Sequence, residues 1–65
     1  MEPISSIGIC LETANDVELV AGEEGIETIK YMKTASGIEV LTNGSEGEFL
    51  QGWPWSSIQS YSIQK

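Results

Sequence analysis

Residues 26–34, "IETIKYMKT", decide the fold class of this chain, because the stretch reads as strand or as helix. As a strand it puts Ile29 and Tyr31 on one face and Thr28, Lys30 and Met32 on the other. As a helix it would bring Ile26 and Ile29 together and let Glu27 face Lys30 and Tyr31. Only a short run separates Gly25 from Ser36-Gly37, too little for a self-supporting helix, so strand is preferred. The wider composition agrees. Eight isoleucines, three valines and four threonines are β-branched residues suited to a pleated surface.

On both sides of this stretch the chain alternates apolar and polar residues between turn signals. Before it, Ile7, Ile9 and Leu11 share one side, with Gly8, Cys10 and Glu12 on the other. "TAND" (13–16) breaks that run; Val17, Leu19 and Ala21 alternate with Glu18 and Val20, and "GEEG" (22–25) turns again. After it, "ASG" (35–37) leads into "IEVLT" (38–42), where Ile38, Val40 and Thr42 alternate with Glu39 and Leu41. "NGSEGE" (43–48) is the strongest turn signal, since Asn43, Gly44 and Gly47 accept positive φ. "FLQGW" (49–53) and "SIQSYSI" (57–63) read as further strands, and Pro54 marks a break or an edge. The expected fold is mostly β: a small antiparallel meander or partly closed barrel of five to six short strands, forming one domain over residues 1–65.

Sixty-five residues make a thin core. Cys10 is the only cysteine and there is no histidine, so neither an internal disulfide nor a zinc site is expected. The net charge of −7, with only Lys30, Lys33 and Lys65 positive, repels phosphate backbones and anionic lipid. No basic leader and no long apolar run is present, which with one unpaired thiol points to a reducing, cytoplasmic setting. Cys10 is expected as a small buried residue.

No catalytic constellation emerges. Eight serines stand without a histidine, and nothing singles out Lys30 or Lys33 as a serine's base. Carboxylate pairs such as Glu23-Glu24 and Glu46 with Glu48 fall in turn sequence, where solvation leaves them ordinary acids. "DVELVAGEEGIE" (16–27) imitates a calcium loop through Asp16, Glu18, Glu24 and Glu27, but Val20 and Ala21 stand where a ligand and a glycine are needed. Glu46 and Glu48 disqualify "GSEG" (44–47) as a phosphate loop. Trp53, Trp55 and Tyr61 lack the basic neighbours that single-strand binders use. No enzyme activity, cofactor or metal is expected.

The closing "GWPWSSIQSYSIQK" (52–65) resembles a pattern of the pleckstrin-homology-like superfold, the group of the phosphotyrosine-binding and third FERM-lobe domains. There a late strand carries a tryptophan and an isoleucine that face a barrel interior, places that Trp55, Ile58 and Tyr61 or Ile63 would hold. "GIEVL" (37–41) resembles the hairpin before it. The resemblance implies a barrel-like sheet over residues 6–63. Its terminal helix has no counterpart within residues 1–65, which would leave an apolar end for a partner or a second copy to cover. Lipid binding does not carry over, because Glu12, Asp16 and Glu18 stand where basic residues would be. Trp53 and Trp55 could both be core; the preferred reading is that Pro54 kinks the strand and separates them, so that Trp55 packs inward with Ile58 and Trp53 lies near the rim as a contact residue.

These readings make the chain a non-catalytic protein–protein interaction module or small accessory subunit, binding through an apolar rim and a sheet edge in an acidic field. The candidate contact residues are Trp53, Pro54, Phe49 and Tyr61. The expected partner is another protein, with a basic surface as the electrostatic match, or a second copy in a homodimer; direct nucleic-acid and membrane contacts are not expected. The alternative is an acidic nucleic-acid mimic that occupies a basic groove.

Overall fold

A computed structural model describes all residues from Met1 to Lys65 and makes the deciding stretch a strand. Ile29 and Tyr31 are buried while Thr28, Lys30 and Met32 are exposed, a period of two that no helix produces. Seven strands form in all: β1 Glu2–Ile4, β2 Ser6–Leu11, β3 Val17–Val20, β4 Ile26–Lys33, β5 Gly37–Gly44, β6 Gly47–Pro54 and β7 Ile58–Gln64. A single 3-10 turn, Trp55–Ser57, joins the last two. The short β1 has no counterpart in the sequence reading, because Pro3 and a three-residue length hide it from any alternation.

The strands make two antiparallel sheets, one in the order β1-β4-β5-β6 and one in the order β3-β2-β7. Only β4-β5-β6 is a meander. The partly closed barrel does not form: β6 and β7 are joined by the 3-10 turn but do not pair, so the two sheets stay separate at that flank. The chain also changes sheets at Ser5, whose N–H donates to Gln64 O and whose carbonyl accepts from Ala21 N–H. No helix in the chain is long and apolar enough to cross a membrane.

The two sheets share one core. Ile4, Ile29, Tyr31, Ile38 and Val40 of the larger sheet meet Ile7 and Ile9 of the smaller one, with Leu11, Val17, Leu19, Ile58 and Ile63 packed around them. The positions from β2 to β5 lie on the face their alternation assigns. Ile4 belongs to β1, which shows no alternation. Ile58 and Ile63, of opposite parity, both reach the core because the β2–β7 ladder shifts register between Cys10 and Leu11. Burying each side chain contributes about 1.5–3 kcal/mol, which makes the seven-residue cluster the main source of stability.

Turn placement differs from the sequence reading in one hairpin. Asn43 and Gly44 remain in β5, and the loop is Ser45-Glu46 with Gly47 at φ 107°. Gly44 is required for a different reason: a Cβ there would lie 1.9 Å from Gly25 O, where the β3–β4 turn docks on the hairpin. Cys10 also departs from expectation. It sits opposite Ser60 with intermediate exposure, on the face of β2 turned away from Ile7 and Ile9, so the alternation that buries its neighbours leaves it outside the core.

Candidate interaction site

The two most exposed large apolar side chains lie next to each other on β6, where Phe49 is 55% and Leu50 64% exposed. Phe49 was expected in a contact role; Leu50 was not. Adjacent residues of a strand point to opposite faces, so "FL" necessarily shows one side chain on each side of the sheet. What the pattern could not reveal is that neither side is covered.

The register explains why. Residues directly opposite in an antiparallel pair share a face, and Ile38, Val40 and Thr42 of β5 stand opposite Trp53, Gln51 and Phe49 of β6. The three β5 residues are buried, whereas Gln51 and Phe49 are exposed and Trp53 is half-buried. The smaller sheet therefore covers β5 and stops short of β6. On the opposite face, Leu50 sits beside Leu41 and Lys30, again uncovered.

β6 is also an edge, paired with β5 alone. The backbone phase follows from two observations. Gly44 and Gly47 close a two-residue loop, which makes them a mutually hydrogen-bonded pair. The ladder continues past the strand through Trp55 N–H donating to Ser36 O at 3.1 Å. The odd-numbered residues of β6 thus bond inward to β5. Glu48, Leu50 and Gly52 direct N–H and C=O away from the sheet, as Pro54 does its C=O. Pro54 falls on the phase where its missing N–H removes no ladder bond.

The two tryptophans separate as the intervening proline suggested, but their places are the reverse of those expected. Trp53 packs against the core cluster, because it is still in β6 and opposite the fully buried Ile38. Trp55 has left the strand for the 3-10 turn and is 36% exposed. Its indole N–H donates to Thr34 O at 2.8 Å, and its ring lies 6.0 Å from that of Tyr61. Lys33 Nζ stands 5.9 Å from the Tyr61 ring centre, within cation–π range.

The predicted contact residues therefore divide into two groups. Phe49, Trp53 and Pro54 share β6, while Tyr61 belongs with Trp55 and Lys33. Between them, Thr34 fixes the β4–β5 turn. Its Oγ1 accepts from the N–H groups of Ser36 and Gly37, both at 3.1 Å, and donates to Gly37 O at 3.2 Å. A shallow recess of about 180 Å³ opens there, lined in part by Ser36, Gly52, Trp53 and Pro54. No group of three thiol and carboxylate side chains converges anywhere in the chain.

Comparison with protein-family models, curated proteins and solved structures finds no match to this chain. Trp55, which the pleckstrin-homology-like pattern would turn inward, lies at the surface.

Proposed function

We propose that this protein is a non-catalytic interaction module that binds an extended segment of polypeptide by adding it as a strand alongside β6. The observation that carries this reading is the state of that edge. It runs eight residues, faces solvent with unpaired backbone groups, and shows Phe49 and Leu50 on its two faces. Soluble proteins usually blunt such an edge with lysines, a bulge or brevity. The other edges fit that rule: β1 has three residues and Pro3, β3 has four and Glu18, and β7 is interrupted by a register shift and lined with Ser60 and Ser62. β6 carries Glu48 as its only charge and no bulge. In strand addition the main-chain bonds supply affinity and the alternate side chains supply selectivity, here Phe49 with Trp53 on one face and Leu50 on the other.

The test is titration of isotope-labelled protein with strand-forming peptides that alternate valine with lysine, threonine or glutamate. Slowed amide exchange confined to Glu48, Leu50 and Gly52 is the expected result, strongest with the basic peptide because the chain carries −7. If no peptide protects those amides, the reading is wrong.

A further inference from the structure

We infer, building on the strand-addition reading, that the segment that fits β6 best is β6 of a second copy, paired antiparallel about a two-fold axis through Gln51. The argument comes from phase, face and charge. Only even-numbered residues of β6 direct backbone groups outward, so a symmetric pairing must set even against even. With Gln51 on the axis, Glu48 N–H meets the partner's Pro54 O, Leu50 N–H meets the partner's Gly52 O, and Gly52 N–H meets the partner's Leu50 O. Each copy thereby satisfies all of its outward donors, and the proline falls where only its carbonyl is needed.

Side chains agree with that register. Opposite residues share a face, so Phe49 of each copy lands against Trp53 of the other, and Gln51 against Gln51. These are non-hydrogen-bonded pairs, in which side chains approach most closely. On the other face Leu50 covers the partner's Gly52, where an added Cβ would make only ordinary van der Waals contact, with the Glu39 side chain and Ile38 O, both at 3.8 Å. The neighbouring symmetric register, with Leu50 on the axis, satisfies the same donors. However, it sets Glu48 against the partner's Gly52, where the Glu39 side chain leans across. Two carboxylates would then meet. With Gln51 on the axis, Glu48 faces Pro54, and beyond it Gly37, where no charge stands. The product is one continuous sheet in which the four strands of each copy run on into the other's.

Charge also gives the association a distinctive sign. Two copies at −7 repel one another outside the contact, so salt strengthens this pairing by screening, whereas it weakens binding to a basic strand. Sedimentation velocity across a salt series, with amide exchange on the same samples, is the first measurement. The expected result is a dimer that tightens with salt, with protection of Glu48, Leu50 and Gly52 amides rising with protein concentration. The second measurement fixes register. In a Cys10→Ser background, oxidised Gln51→Cys should crosslink to a covalent dimer faster than Leu50→Cys, since a non-hydrogen-bonded pair at the axis sets Cα atoms about 4.5 Å apart, within disulfide reach. Leu50→Pro should weaken the dimer by about tenfold or more, as a lost donor in each copy implies, while the monomer stays folded.

A protein that remains monomeric at high salt and concentration, with those amides unprotected, overturns the self-pairing. If strand-forming peptides still protect the same amides, the edge reading survives that result; if they do not, both fall. Faster crosslinking through Leu50→Cys than through Gln51→Cys overturns the Gln51-centred register.

Discussion

Trp53 and Trp55 are two residues apart and differ in what each holds. Trp53 lies on the core-facing side of β6 and covers the rim of Ile38, so Trp53→Ala should cost about 3 kcal/mol, the low end for a buried aromatic. Trp55 contributes a surface hydrogen bond and a tilted ring contact to Tyr61, and Trp55→Ala should cost about 1–1.5 kcal/mol. Urea unfolding of the two variants checks this order; the reverse order would mean that the 3-10 turn, and not the strand end, anchors the sheet. Gly37 supplies a second residue-scale test. A Cβ there would lie 2.0 Å from Trp53 O, against backbone that cannot move without opening the β5–β6 ladder, whereas Gly52 has room. Gly37→Ala should therefore prevent a cooperative fold, and Gly52→Ala should melt close to wild type by circular dichroism.

At the scale of the element, the backbone phase of β6 makes a prediction that side-chain exposure alone does not. Leu50 and Gln51 are both exposed, so a reading from surface area alone treats a proline at either position alike. The ladder separates them. Leu50 N–H faces solvent and Leu50→Pro should leave the melt within about 1 kcal/mol, while Gln51→Pro removes an inward bond to β5 and should cost about 3 kcal/mol or more. Thermal and urea melts of the two variants decide it. The reverse order would place the phase one residue out and move the outward backbone groups to Phe49, Gln51 and Trp53.

The whole molecule is held by one small cluster between two sheets, with chain ends that meet across them. Lys65 Nζ lies 2.6 Å from Glu2 Oε2, tying the end of β7 toward β1. The Lys65 ammonium is held above its ordinary pKa, first by the hydrogen bond to Glu2, then by the Glu2 charge. A folded pKa above the unfolded one contributes stability that is fully present below the ordinary lysine value and lost as pH rises through the folded value. Both side chains are largely solvated, so the contribution is small. Glu2→Gln should leave the neutral-pH melt almost unchanged and reduce only the loss of stability seen in strongly alkaline buffer, which a pH series of melts would show. The net charge acts more broadly. As pH falls from 7 toward the isoelectric point near 4.1, repulsion between copies fades, and self-association measured by light scattering should strengthen before unfolding begins.

The sequence by itself determined the strands from β2 to β7 and the faces of those that build the core. Ile7 with Ile9, Ile29 with Tyr31, and Ile38 with Val40 and Thr42 each follow from alternation, because a strand's side-chain direction is a local property of the backbone. It also read "FLQGW" (49–53) as a strand and placed a break at Pro54, where β6 stops. Coverage was decided elsewhere. Whether a face is buried depends on how far the opposing sheet extends, and the smaller sheet has only β3, β2 and β7 to offer. That limit exposes Phe49 and Gln51 on a core-type face and keeps the barrel open, while Leu50 lies on the opposite face of the sheet, which no other sheet covers. The exchange of roles between Trp53 and Trp55 has the same origin: a proline announces that the chain will bend, but the turn that Thr34 and Ser36 receive on the neighbouring hairpin decides which ring stays inside.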